Sequence, residues 1–461
     1  MGIRSAILLA GGAGTRMWPF AEVRNKCALP VCNVPNVRRL ADSLAEIGVQ
    51  RIVAVTGAEA GSVRHALYGC GAEVAFVEQK SGAGTAGAAL AGFGALDDDQ
   101  CLVVFGDVAT TTGNLRAVSE ALDENDVAGA ALWDDMPAGE GSLWHGVELA
   151  GDRLAGVIGH DADSTRRLCG VFALDRSIVP HLAANPGRML RVPVGGMPPA
   201  EPDLAQTLND WIERDRVELV GVRARDFVVD LDKPWHILEA NRLALRQMSG
   251  CLNESRIHPT ARIHDGAEID GFVDIGPGAV IGNRVTARGN LLVGANSQVV
   301  NGAILQGAAL VGADCRVSDY CLLDGDAVVG NRCVVGHGAE MDGVLFDGAY
   351  LWHYCEISGV VGCGVDIGAA TVCGTLKFDD SPASHRIGGR RERPAHGANA
   401  TYFGDYSRTG VNVITMPGVK IGAYSCVGAG IVVYEDIPSR TLRLLKQETI
   451  DRPWGPDRYG W

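Results

Sequence analysis

The sequence predicts two domains of different class. The first is α/β, built on a Rossmann-like, mostly parallel sheet, and the second is all-β, a coil of parallel strands. Three observations predict this. An apolar strand at the start runs into a glycine-rich turn, short apolar runs then alternate with amphipathic segments as far as residue 233, and from residue 257 aliphatic residues recur every six positions. At 461 residues the chain exceeds one ordinary domain.

In the first half, Ile3–Leu9, Arg51–Val55, Glu73–Val77, Leu102–Phe105 and Phe227–Val229 read as strands, with helices at Val37–Ile47 and Thr85–Leu96 between them. This is the rhythm of an open parallel sheet, whose ligands bind at the carboxyl ends of the strands. A linker helix follows within 234–255, with Pro234 in its first turn and Gly250 just past its end. The α/β half is thus expected over 1–233, the coil over 256–437 and a tail over 438–461.

The second half keeps one lattice from Ile257 through Ile263, Ile269 and Ile275 to Val335 and Met341. Small residues sit two positions ahead of many lattice points, Cys315, Cys321 and Cys333 among them, and those cysteines are expected inside. Each hexapeptide is one short strand and a turn, and three make one triangular coil. The lattice breaks near Asp347, resumes at Val361, breaks again, and returns as Phe403, Thr409, Thr415, Ile421, Val427 and Val433. The intervening segment, 377–401, carries Lys377, Arg386, Arg390, Arg391 and Arg393. It reads as a loop thrown out from one corner, either simply solvated or lying over an anionic ligand.

Composition excludes several classes. A net charge of −14 argues against a partner that is nucleic acid or an anionic membrane. No apolar run approaches the roughly 18 residues of a membrane span. Thirteen cysteines, an odd number without a C-x-x-C pair, suggest reduced thiols in a cytoplasmic protein, and the N-terminus, going straight into a strand, reads as structure rather than as a secretory leader.

The chemistry concentrates in Leu9-Ala-Gly-Gly-Ala-Gly-Thr-Arg-Met-Trp-Pro19 and Asn25-Lys-Cys-Ala-Leu-Pro-Val31. Gly11, Gly12 and Gly14 give a tight turn whose backbone N–H groups can approach a phosphate, and Arg16 and Lys26 add two cations. Neither of the commoner phosphate loops, G-x-x-x-x-G-K-[ST] or G-x-G-x-x-G, is present. Asp107 and Asp230 each end an apolar run at the same face as this loop and are candidate metal ligands, with Asp232 in reserve.

This pattern resembles the signature of the nucleoside-triphosphate: sugar-1-phosphate nucleotidyltransferases. Gly106-Asp107 is similar to the family's strand-end aspartate. Asp230-Leu-Asp-Lys-Pro-Trp-His-Ile-Leu-Glu-Ala-Asn241 resembles its D-I-x-x-P-x-x-L-x-x-A-N segment, and Gln79-Lys-Ser-Gly-Ala-Gly-Thr-Ala-Gly87 its base-reading Q-x-x-x-x-G-T-A-G. The resemblance implies transfer of a nucleotide from a nucleoside triphosphate (UTP, dTTP or GTP) to a sugar 1-phosphate or cyclitol phosphate, with release of pyrophosphate. It also implies roles by residue: nucleotide contacts at Leu9, Ala10, Gly11, Gly12, Gly14, Thr15, Gln79, Gly84 and Thr85, and sugar-phosphate contacts at Lys26, Gly146 and Gly170. Arg16 and Lys26 are then the catalytic cations. Because the reaction joins two anions, magnesium at Asp107 and Asp230 is the expected cofactor. Thr85 has a second reading as the cap of the helix that follows, and Cys27, beside Lys26, is read as packing rather than as a reactive thiol.

The departures cluster. Gly159-His-Asp stands where the family carries an acidic residue and lysine, Leu168-Cys-Gly170 where it carries Asn-Ala/Thr-Gly, and Asn25 where proline is usual. The fused coil resembles that of the bifunctional N-acetylglucosamine-1-phosphate uridylyltransferase/glucosamine-1-phosphate acetyltransferases, above all the archaeal type. That implies a left-handed parallel β-helix, assembly as a homotrimer, and His353 as a candidate base for acetyl transfer, although Glu356 and Thr375 replace the expected Tyr and Asn. A homologue that binds a nucleotide sugar without turning it over is the third reading.

Overall fold

The computed structural model describes residues 2–79, 84–125, 127–136, 140–159, 161–187 and 201–454. In the first domain β1 (Ser5–Ala10), β2 (Arg51–Thr56), β3 (Glu73–Glu78), β4 (Gln100–Phe105), β5 (Gly129–Asp135), β6 (Gly146–Ala150), β7 (Arg153–Ile158), β8 (Arg166–Asp175) and β9 (Leu219–Arg223) form one sheet in the order β3-β2-β1-β4-β8-β5-β9-β7-β6. β1, β2, β3 and β4 are mutually parallel, whereas β8 runs antiparallel to β4 and β5. Chain order reverses at β1–β4, and there the loops after both strands open a crevice. Phe227–Val229 is not a strand of this sheet. Instead Val229–Asp230 pairs antiparallel with Val108–Ala109 in a two-stranded ribbon, because the chain leaves the sheet at Arg223 and returns across its carboxyl edge.

The second domain is a region of parallel strands. Arg256 pairs with Asp274, Arg262 with Val280 and Glu268 with Thr286. Each strand thus meets the one three hexapeptides further along, so three hexapeptides make one coil. Ile281, Val299, Val317 and Val335 stack inside with no measurable exposure, and Cys315, Cys321 and Cys333 are buried among them.

Near Asp347 the strands stay in register but the coil shortens. Leu322 pairs with Glu340, a full coil on, yet Val328 pairs with Val344, two positions short of a full coil. The missing positions are lost at the corner between Met341 and Leu345, so Leu322–Val329, Glu340–Leu345 and Glu356–Val361 run straight through it as long strands. A fixed period of six shows this only as the break near Asp347. The last coil is shortened in the same way, with Leu442 pairing with Cys426, so the expected tail from 438 begins inside the coil.

The helix over Pro234–Gly250 is no free linker. Ala240, Ala244 and Leu245 pack on Val328, Val344 and Val360, which the straightened corner turns outward. The same apolar cluster takes in Met17, Phe20, Leu29 and Val31 of the signature loop, together with Phe346 and Tyr402 of the coil. The back of the glycine-rich signature is therefore core, shared between the domains.

Candidate active site

The site assembles at the carboxyl ends of β1 and β4. β1 ends at Ala10, and the chain turns through Gly11 and Gly14 into a single 3-10 turn, Thr15–Met17. A Cβ on Gly11 would lie 1.9 Å from Gln79 Oε1 and push that amide aside, and Gly14 has φ of +63°, a conformation that favours glycine. Gln79 is held over the loop by its Nε2, which donates to the Gly84 carbonyl at 2.8 Å. Residues 80–83 of the expected base loop, and His160, lie outside the described residues.

Lys26 opens a second 3-10 turn, Lys26–Ala28, whose cap is Asn25. Asn25 is 2% exposed, and its amide does more than cap. Nδ2 donates to the carbonyls of Ala10 (3.1 Å), Gly12 (3.2 Å) and Ala58 (2.9 Å), while Oδ1 accepts from the Cys27 N–H at 2.9 Å. One side chain thus ties the glycine loop, the loop after β2 and the Lys26 turn together. Sequence reasoning passed over Asn25 as a departure, and its only signal was an amide directly ahead of the Lys26-Cys-Ala-Leu turn. Asn36 does the same for the next loop, donating to the carbonyls of Gly106 and Val108 at 2.9 and 3.0 Å.

Those clamps bring the charged groups together. The Lys26 ammonium ion-pairs with the Asp107 carboxylate. The Val108–Ala109/Val229–Asp230 ribbon and the Leu231 N–H bond to the Asp107 carbonyl (2.8 Å) set Asp230 beside it. Asp232 takes up Arg16 at 2.7 Å. Burial works against the charge on Lys26, but Asp107, Asp230 and Asp232 outweigh it and hold the ammonium charged. Burial, then the charge of Asp107, pushes the Asp230 carboxyl up to about 7, and its Oδ1 is buried without a hydrogen-bond partner. Two carboxylates that repel each other, one with an orphaned oxygen, fit a hard divalent cation that keeps part of its shell for water and phosphate. Among the described residues no group of three or more acidic, histidine or cysteine side chains forms a metal cage.

Residues 6–180 match the model of the MobA-like NTP transferase domain. That match spans most of the first domain. Over 96% of its length the chain is 27% identical to a bifunctional protein GlmU of Methanococcus vannielii, covering 98% of that protein. Over 94% it is 22% identical to a bifunctional sugar-1-phosphate nucleotidylyltransferase/acetyltransferase of Sulfurisphaera tokodaii, again covering 98%. A UDP-glucose pyrophosphorylase structure from Acinetobacter baumannii superposes with a TM-score of 0.46 at 17% identity, over 53% of this chain and 94% of that one. No helix among the described residues is long and apolar enough to cross a membrane.

The other residues singled out by the sequence have the following surroundings. Thr85 does not cap its own helix, which starts a residue earlier at Gly84. Its Oγ1 donates to Asp203 Oδ1 (3.1 Å) and accepts from the Leu204 N–H (2.9 Å), so it fixes the start of the helix Leu204–Asp215. Gly146 and Gly170 both have packing reasons. A Cβ at Gly146 would meet Ser164 Oγ at 2.1 Å, and Gly170, with φ of +64°, presses on Phe105 at a register shift in β8. Cys27 is 2% exposed against Gly106, and burial raises its thiol pKa well above the ordinary value. Trp18 faces the coil, donating from Nε1 to Ser439 Oγ at 3.1 Å. His353 sits at a corner of the coil, with Nδ1 2.6 Å from Nδ1 of His337.

Proposed function

We propose that the protein transfers a nucleotide from a nucleoside triphosphate to a sugar 1-phosphate, releasing pyrophosphate and giving an NDP-sugar. The observation that carries this is the convergence of Lys26, Asp107 and Asp230 beside the Gly11–Gly14 turn at the β1–β4 crevice. The full-length similarity to sugar-1-phosphate nucleotidyltransferases supports the same reaction.

The backbone of the glycine turn receives the triphosphate, with Gln79 over the loop for the base. Arg16, released from Asp232, steadies the leaving pyrophosphate. Lys26, released from Asp107, bridges the reacting phosphates, so that the attacking phosphate oxygen and the leaving group lie in line. Asp107 and Asp230 would hold a divalent cation, magnesium by the hardness of the ligands, which supplies positive charge at the α-phosphate when bound. No side-chain nucleophile is required, because the acceptor phosphate attacks directly. Acetyl transfer is not part of the reading. His353 shares its Nδ1 with His337, and Glu356 and Thr375 replace the Tyr and Asn that the resemblance leads one to expect.

The proposal extends to architecture and setting. The coil is read as a left-handed β-helix that assembles three chains, and thirteen free cysteines fit a reducing cytoplasm. Pyrophosphate release from each of five nucleoside triphosphates, with Mg²⁺ and a panel of sugar and cyclitol 1-phosphates, tests the reaction. Asp107→Ala and Lys26→Ala should each abolish it while the fold is retained, and full turnover in both variants would sink the assignment.

A further inference from the structure

A cavity of about 490 Å³ opens from Asp230, and both domains wall it. The inner wall belongs to the nucleotidyltransferase domain and includes Trp144 and Arg167. The outer wall is residues 391–396. They leave a hairpin, His385–Ile387 paired with Arg390–Glu392, in the basic loop thrown out between coils.

A latch fixes that wall. Glu392 Oε2 meets Lys233 Nζ at 2.7 Å, and the Lys233 side chain is only 5% exposed. The Lys233 ammonium lies 5.7 Å over the Trp235 ring, which itself packs 5.2 Å from the ring of His385. Lys233 follows closely on Asp230 in the chain, so the hairpin is tied directly to the metal-ligand segment. Desolvated ion pairs of this kind fix geometry more than they add stability.

With Glu392 committed to Lys233, the guanidinium groups on the wall have little else to hold. Arg391 donates to Ser384 Oγ at 3.1 Å, and Arg393 has no hydrogen bond or ion pair among the described residues. On β8, whose Arg167 lines the cavity with Asp230, the chain offers a ligand little that is polar: Leu168 packs into the core, Cys169 is 5% exposed and Gly170 lies against Phe105. Arg167, one residue earlier, is already engaged, donating to the Val228 carbonyl at 2.5 Å.

We propose that residues 391–396 are the acceptor-binding wall of the transferase. The loop of the second domain grips the polar ring substituents of the sugar 1-phosphate on the side remote from its phosphate, with Arg393 as the main contact. A guanidinium fork suits paired hydroxyls or a carboxylate. The inference rests on the nucleotidyl-transfer reading and makes the two domains one active site.

The test uses the full-length chain, with pyrophosphate release followed against acceptor and against nucleoside triphosphate separately. Arg393→Ala should raise the acceptor KM about tenfold or more and leave the KM for the triphosphate within twofold. Arg393→Lys should recover part of the loss. Lys377→Ala, in the same loop but outside the cavity, should change neither. An Arg391→Ala/Arg393→Ala double variant with an unaltered acceptor KM would overturn the proposal.

A second readout separates this failure from failure of the reaction itself. Hydrogen exchange of residues 390–396 is measured with glucose 1-phosphate, N-acetylglucosamine 1-phosphate and inositol 1-phosphate in turn. Protection by one of them supports the wall even in a chain that releases no pyrophosphate. Protection by none overturns it.

Discussion

Replacing Asn25 by alanine should cripple a loop it does not belong to. Its buried amide makes four hydrogen bonds, three to loop carbonyls and one from the Cys27 N–H. The two N–H hydrogens serve three carbonyls, so the donor side is worth two full bonds, about 1 kcal/mol each, and the capping oxygen about 1 more. The variant should lose roughly 2–4 kcal/mol in local stability. Freed from the amide, Lys26 moves relative to the glycine turn, and a displacement on the order of 1 Å costs about a hundredfold in rate. Asn25→Asp separates the two contributions: it keeps the acceptor for Cys27 but sets a carboxylate against three carbonyls, and should be at least as damaged as Asn25→Ala. The assay pairs hydrogen exchange over residues 10–15 with steady-state pyrophosphate release. Asn25→Ala with wild-type exchange and a kcat within twofold would refute the clamp.

Other perturbations probe the remaining parts. Asp230 carries its carboxyl pKa near 7 in the fold against an ordinary 3.8, so the folded state holds that proton between these values, and stability from this group declines as pH rises from about 4 to 7. A divalent cation competes for the same oxygen. Its affinity, measured by calorimetry with Mg²⁺ or Mn²⁺, should climb with pH up to about 7 and then level, whereas equal affinity at pH 5.5 and 8 would contradict the assignment. Gly11→Ala should expel Gln79 from its place over the loop, since the new Cβ would sit 1.9 Å from Oε1, and nucleotide binding should fall sharply in a fluorescence titration. Phe20→Ala removes a fully buried ring 5.6 Å from Phe346 and 6.4 Å from Tyr402. It should cost about 3–5 kcal/mol in urea unfolding, and turnover should drop with it, because Phe20 sits in the signature loop.

Much of this was legible in the sequence, for physical reasons. A strand-end aspartate points out of a parallel sheet at its carboxyl edge, so Asp107 could be placed from the apolar run before it. Asp230 was harder: its run is a ribbon strand folded across the edge, and only the pairing with Val108–Ala109 brings it close. The period of six located the interior of the coil and broke near Asp347, but the break alone could not distinguish a shortened corner from an excursion without the Val328–Val344 pairing. Asn25 was hidden because its value lies in carbonyls 13 to 33 positions away in sequence. Met17, Trp18 and Phe20 read as part of a phosphate loop, yet their side chains face a domain that begins only after the helix Pro234–Gly250.

That last arrangement has a consequence for how the molecule can be divided. A chain stopped at Gly250 would keep every group that handles the nucleotide, yet strip Phe20 of Phe346 and Tyr402, Trp18 of Ser439 and Arg24 of the Asp405 carboxylate that neutralises it. Such a fragment would be sticky, and its lysine turn would keep the Asn25 clamp but lose the Arg24–Asp405 anchor two residues before it. The transferase half is therefore not a cassette that can be lifted out, exchanged or inherited separately. Whatever alters the coil, by mutation or by assembly, is felt at Lys26.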